Sequence, residues 1–89
     1  MVKHLLISGR VQGVGFRYQM AGFAMKFGVT GWVRNRRGGN VEAMVEGTPE
    51  AVAEIIGWAR RGPPHAMVTA VDVSEGHGSF AGFDLLATV

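Results

Sequence analysis

Apolar residues recur along the chain with the spacings of strands and helices. The largely apolar run from Val2 to Ser8 predicts a central strand. From Phe16 to Phe27, apolar residues repeat at intervals of three and four, and Gly28 follows as a natural terminator. The pattern therefore predicts a strand and then an amphipathic helix, joined by a glycine-rich loop.

The middle of the chain predicts a hairpin. Val29 to Asn35 has the composition of a strand, and apolar and polar residues alternate from Val41 to Glu46. The linker from Arg36 to Asn40 contains two adjacent glycines and suits a tight reversal. We expect these two strands to pair in antiparallel fashion.

The second helix has clear signals at both ends. Thr48 can cap its N-terminus, Pro49 fits the first helical position, and Gly62 followed by prolines ends it. A further alternating strand is predicted from Met67 to Val73, and a short apolar strand from Phe83 to about Val89.

The resulting order is β-α-β-β-α-β with a small strand appended, the split βαβ arrangement of ferredoxin-like α+β folds. We expect an antiparallel sheet with both helices on one face. At 89 residues, without an internal repeat or linker, residues 1–89 are expected to form a single domain. This fold hosts RNA binders, metabolite sensors and enzymes, so it does not decide the function.

Composition removes several classes of site. The chain has no cysteine, which excludes disulfides, a thiolate nucleophile and cysteine-ligated metals. The scattered histidines and the group Asp72, Glu75 and His77 are more typical of a solvated surface than of a metal site. No segment resembles a signal peptide or a bilayer span, so we expect a soluble cytoplasmic protein with no membrane partner.

Charge is distributed unevenly along the sequence. All seven acidic residues lie after position 40, whereas most basic residues lie before it. The first half of the chain therefore attracts anions, although a basic surface could serve only solubility. The basic residues of the first half are Lys3, Arg10, Arg17, Lys26, Arg34, Arg36 and Arg37. We expect the last three of these to form a solvated rim.

The loop from Gly9 to Arg17 has the features of an oxyanion site. Its glycines allow successive backbone N–H groups to turn inward, and the start of the helix adds unpaired donors. Arg17 supplies a planar fork of donors that matches phosphate. A surface ion pair is the alternative role for Arg17, but it has no acidic neighbour in this half of the sequence. The predicted phosphate-binding residues are Gln12, Gly13, Val14, Gly15, Phe16 and Arg17.

Asn35 is the polar end of an apolar row formed by Val29, Gly31 and Val33 on one strand face. A carboxamide at this position must find hydrogen-bond partners or serve a ligand. Asparagine is also common at turns, so entry into the hairpin is the alternative role.

These two regions resemble the signature segments of the acylphosphatase family. The segment from Ile7 to Arg17 resembles its phosphate loop, and the segment Gly31-Trp32-Val33-Arg34-Asn35, continuing through Gly39, Val41 and Gly47, resembles its second signature. The resemblance implies hydrolysis of acyl phosphates to a carboxylate and inorganic phosphate, with Arg17 and Asn35 as catalytic residues. It implies no metal, no cofactor and no covalent phosphoenzyme.

The implied reaction suits a sparse site. A carboxylate is a good leaving group, so positioning and charge stabilisation suffice, with Asn35 holding the attacking water. We expect a monomer that binds acyl phosphate, is inhibited by inorganic phosphate and binds no nucleic acid. The last residues lack the aromatic or basic end that is frequent in the family, which bears on C-terminal docking and is expected to leave the site unaffected.

Two alternatives remain open, namely an RNA-binding module and a phosphometabolite-binding domain without catalysis. Glu42 and Glu46, with no aromatic residue on the same strand, argue against RNA.

Overall fold

The computed structural model describes residues Met1 to Val89. The elements in chain order are β1 (Val2–Arg10), α1 (Phe16–Phe27), β2 (Thr30–Asn35), β3 (Val41–Glu46), α2 (Pro49–Arg61), β4 (Met67–Glu75) and β5 (Phe83–Leu85). The strands form one sheet in the order β4-β1-β3-β2-β5. The two helices contact each other and pack on the same sheet face, which is the predicted ferredoxin-like α+β arrangement.

The sheet is mixed because of its last strand. Antiparallel pairing joins β4 to β1, β1 to β3 and β3 to β2, which confirms the predicted β2–β3 hairpin. β5 instead pairs in parallel with β2. β1 and β2 run one way while β3 and β4 run the other. After β4 the chain crosses to the opposite edge of the sheet. There β5 runs against the direction of β4 and therefore parallel to β2.

Several strand boundaries differ from the predicted ones. β1 continues to Arg10 and accommodates a register shift between Ser8 and Gly9. β5 ends at Leu85, so the prediction of a strand to Val89 is wrong. The remaining residues follow β2 without a regular ladder, through bonds from Leu86 N to Val33 O (2.9 Å) and from Val89 N to Asn35 O (3.2 Å).

α2 has the predicted boundaries and cap. Thr48 Oγ1 accepts a hydrogen bond from Ala51 N at 3.1 Å, and Pro49 occupies the start of the helix. A cap of this kind stabilises a helix by about 1 kcal/mol. The helix buries Val52, Ile55 and Trp58 against the sheet.

The core fixes the start of α1, where the glycine-rich loop ends. Every fully buried residue of the chain is apolar. Phe16 is only 2% exposed, and its ring centroid lies 5.0 Å from that of Trp58. The first residue of α1 is thus anchored by packing while its neighbours remain at the surface. Neither helix is long and apolar enough to cross a membrane.

Candidate active site

Arg17 and Asn35 meet at one pocket of about 220 Å³. They come from different elements, because Arg17 lies in the first turn of α1 and Asn35 ends β2. A larger depression of about 320 Å³ on α1 contains neither residue and none of the loop. The smaller pocket is the candidate site, since it contains both predicted catalytic residues. Its lining residues are Val11, Gly13, Gly15, Phe16, Arg17, Tyr18 and Asn35.

Two glycines shape the loop that forms one wall of this pocket. Gly13 has φ 73° and Gly15 has φ 80°, both in the left-handed region. A Cβ atom at Gly13 would meet no atom within 4 Å, so the backbone conformation rather than lack of space calls for glycine there. Left-handed residues that alternate with right-handed ones can turn successive N–H groups toward one side as an anion-binding nest.

The backbone donors of this loop have no acceptor within the protein. None of the N–H groups from Gln12 to Tyr18 donates to another backbone or side-chain group. Gly15 caps α1 without a side-chain hydrogen bond, and the first turn contains no acidic residue. The positive end of the helix and a row of free donors therefore coincide beside Arg17.

Arg17 forms no ion pair, since the four salt bridges of the protein involve other residues. The alternative role as a surface ion-pair partner therefore has no support in the structure. A free guanidinium beside free amides can bind a planar or tetrahedral oxyanion through several charge-assisted hydrogen bonds.

Asn35 brings an unpaired polar atom to the same pocket. Its Oδ1 atom is buried and has no hydrogen-bond partner. The residue lies opposite Val41 in the β2–β3 ladder, and its side chain does not stabilise the hairpin. The turn is closed instead by backbone bonds from Arg36 N to Asn40 O (2.8 Å) and from Gly39 N to Arg36 O (3.0 Å). A turn role thus does not account for the carboxamide.

Gln12 and Val14 do not line the pocket. The Gln12 carboxamide points to the hairpin, where Nε2 donates to Arg36 O at 2.7 Å and to Asn40 O at 2.9 Å. Val14 is partly buried and packs against the core. Only the backbone N–H groups of these two residues remain available to a ligand.

The arginines that flank Asn35 are held by Glu42, a pairing that the sequence did not predict. Glu42 Oε1 accepts from Arg34 Nε and from Arg36 Nη1, both at 2.8 Å, and His4 Nε2 lies 2.6 Å from Oε2. The predicted rim is therefore ion-paired at Arg34 and Arg36, although the Arg36 side chain is still 43% exposed. Neither arginine lines the pocket, in agreement with the prediction that they are not direct ligands. Burial alone would raise the pKa of Glu42, but hydrogen bonds from His4, Arg34 and Arg36 lower it from 4.5 to about 2.

The C-terminal residues also reach the site. Val89 N donates to Asn35 O at 3.2 Å, and Val89 O accepts from Arg37 N at 2.9 Å. The segment therefore hydrogen-bonds to the backbone of Asn35, and the expectation that its atypical last side chains leave the site unaffected stays a prediction. Elsewhere, no group of three histidine, aspartate or glutamate side chains has an arrangement that could hold a metal ion.

Fold and pocket together define a ferredoxin-like α+β fold in which unpaired backbone amides, Arg17 and Asn35 lie at one pocket. A family model described as Acylphosphatase matches residues 3–85. The chain is 57% identical over 81 residues to an acylphosphatase of Thiobacillus denitrificans, with 91% of each chain covered. It is 61% identical over 70 residues to one of Thermococcus kodakarensis, covering 79% of this chain and 77% of the relative.

A solved structure gives the same result. The crystal structure of acylphosphatase from Bacillus subtilis superposes with a TM-score of 0.90 at 35% identity, covering 97% of this chain and 99% of that one. The chain belongs to the acylphosphatase family. It is accordingly an enzyme, and the family acts on small acyl phosphates.

Proposed function

We propose that this protein hydrolyses acyl phosphates by a metal-independent attack of water on phosphorus. Arg17 and the backbone amides of residues 12 to 17 hold the phosphoryl group, and Asn35 positions the water. The observation that carries the proposal is the buried, unpaired Oδ1 of Asn35 in the same pocket as the unpaired Arg17.

The free donors of the loop suit the charge that develops on the phosphoryl oxygens. Phosphoryl transfer through a loose transition state depends mainly on positioning and on electrostatic stabilisation. The N–H groups from Gln12 onward already lack partners, so binding an oxyanion breaks no hydrogen bond of the protein. Arg17 adds a full positive charge and a two-donor fork.

The water needs orientation more than it needs a base. Asn35 has one accepting oxygen and two N–H donors and is not basic at neutral pH. Its oxygen can accept a hydrogen bond from the water and so direct a lone pair of the water oxygen at phosphorus. As the new P–O bond forms, the bond to the acyl oxygen breaks with its electron pair, releasing the carboxylate. The proton of the water passes to a phosphoryl oxygen.

The composition of the pocket supports a mechanism without a metal ion. Its lining residues include no carboxylate, imidazole or thiol. The leaving carboxylate is weakly basic, so it requires little protonation. All the proposed catalytic groups come from residues 12 to 35 of one chain, so a monomer is sufficient.

The deciding assay is release of phosphate from benzoyl phosphate and acetyl phosphate by purified protein in excess EDTA. We expect both to be hydrolysed at the same rate with and without EDTA, and p-nitrophenyl phosphate to be hydrolysed far more slowly. Arg17→Ala serves as the control for contaminating activity. Loss of turnover in EDTA, restored by a divalent metal, would overturn the mechanism.

A further inference from the structure

We infer that Gln12 is a positioning residue that sets Asn35 relative to the phosphate loop. The inference rests on the proposed function, because it concerns how the two parts of that site are held together. Gln12 Nε2 donates to Arg36 O at 2.7 Å and to Asn40 O at 2.9 Å, across more than twenty residues of sequence. Arg36 directly follows Asn35 in the chain.

These two bonds join the loop to the mouth of the hairpin. Asn40 O accepts from both Gln12 Nε2 and Arg36 N, and Arg36 O accepts from both Gln12 Nε2 and Gly39 N. The carboxamide thus bridges the two carbonyls at which the β2–β3 connection begins and ends. Movement of the hairpin away from the loop would break both bonds.

The chemistry of the position favours glutamine. Two carbonyl oxygens accept hydrogen bonds from Gln12, and the single NH₂ group of its carboxamide has the two N–H donors needed, without a charge. Glutamate has the same length but no donor, and methionine has a similar shape without either donor. Gln12 is next to Gly13, whose left-handed backbone shapes the nest. One residue therefore connects the proposed phosphoryl-binding loop to the proposed water-binding strand.

The consequence is a geometric one. If the loop holds phosphorus and Asn35 holds the water, the separation of loop and strand end decides whether the water is in line for attack. A misplacement of about 1 Å can cost on the order of 10²-fold in rate. Loss of the two bonds should therefore lower kcat, while the phosphoryl-binding groups stay in place.

The test compares Gln12→Met and Gln12→Glu with a matched control, Gln19→Met. Gln19 lies in α1, is exposed and makes no side-chain hydrogen bond within the protein. We expect both Gln12 variants to lose about 10-fold or more in kcat, in line with a positioning effect, with the inhibition constant of inorganic phosphate nearly unchanged. Gln19→Met should match the parent protein.

A double-mutant cycle separates positioning from a general loss of structure. In an Asn35→Ala background, Gln12→Met should cause little further loss of kcat, because the residue through which it acts is gone. The inference would be overturned if the losses of kcat from the two substitutions were additive, or if phosphate binding weakened as much as kcat fell. It would also be overturned if circular dichroism showed that both Gln12 variants are unfolded. If Asn35→Ala alone leaves kcat unchanged, the proposed function fails; if only the Gln12 variants leave it unchanged, this inference fails alone.

Discussion

Arg36 donates a hydrogen bond from Nη1 to Oε1 of Glu42 at 2.8 Å, which joins the residue after Asn35 to the neighbouring strand β3. The same carboxylate oxygen accepts from Arg34, which precedes Asn35 and pairs with Glu42 in the sheet register. Both sequence neighbours of Asn35 are therefore held by one side chain that is only 12% exposed. This charged side chain lies outside the pocket.

The first prediction concerns the pH dependence of stability. The pKa of Glu42 falls from 4.5 to about 2, with burial opposing and three hydrogen bonds producing the decrease. Between these values the unfolded state binds the proton more readily, so stability is lost as pH falls from about 4.5 through 2. Glu42→Gln should lower the free energy of unfolding at pH 7 by roughly 1–3 kcal/mol, the cost of hydrogen bonds to a charged group.

Urea unfolding from pH 7 to pH 2 tests this. The difference between parent and Glu42→Gln should shrink as the pH falls through that window. Glu54→Gln is the control, because Glu54 is exposed on α2 and forms no ion pair. A constant difference down to pH 2 would contradict the assignment.

The second prediction concerns the guanidinium of Arg17. Arg17→Lys keeps the charge but loses the planar two-donor fork, so turnover should fall nearly as far as in Arg17→Ala. Binding of inorganic phosphate should weaken in both variants, while circular dichroism stays unchanged because Arg17 contributes nothing to the buried core. Arg60→Lys, at the exposed end of α2, is a matched control. Near-normal activity of Arg17→Lys would argue against bidentate binding.

The third prediction separates water positioning from phosphoryl binding. Asn35→Ala should lower kcat by about 10²-fold or more, the range for loss of one positioned catalytic group. The phosphate inhibition constant should change little, because Arg17 and the loop amides remain. Steady-state kinetics with phosphate as inhibitor measure both quantities. A loss of phosphate affinity as large as the loss of kcat would identify Asn35 as a ligand-binding group. If the protein only binds phosphate without catalysis, the parent protein itself will show no turnover.

The fourth prediction concerns the left-handed backbone at Gly15. Gly15→Ala places a side chain at φ 80°, which costs roughly 1–2 kcal/mol and favours a loop conformation that no longer turns the amides inward. Gly22→Ala, in the interior of α1 with open space around it, should instead stabilise the protein by roughly 0.5–1 kcal/mol. Urea unfolding and phosphate inhibition of both variants check this. Unchanged phosphate affinity in Gly15→Ala would argue against the nest.

Local signals explain what the sequence could predict. Thr48, Pro49 and Gly62 mark the ends of α2 by chemistry that needs no tertiary contact, and the bounds of α2 are confirmed. Arg17 and Asn35 lie at the ends of two such well-marked elements, and their meeting in one pocket agrees with the expected hairpin and loop. Their catalytic roles stay predictions.

Long-range partners explain what was missed. The β1 irregularity at Gly9 arises where a Cβ atom would come within 2.1 Å of Met67 O, a strand pairing that local pattern does not reveal. The bonds of Gln12 to the hairpin and of Glu42 to His4 likewise join residues far apart in the chain. The alternation of apolar and polar residues places Glu42 on the outer face of β3. Its partners His4 and Arg34 become visible only when the register of β1 and β2 against β3 is known.

The parallel pairing of β5 with β2 has a consequence for self-association. β2 would otherwise be an edge strand, with free N–H and C=O groups along a segment that contains Trp32 and Val33. Such edges recruit strands from other chains, and a short edge strand that carries a charge, as β5 does at Asp84, resists this. The three residues of β5 therefore keep the strand that ends at Asn35 from becoming a template for aggregation.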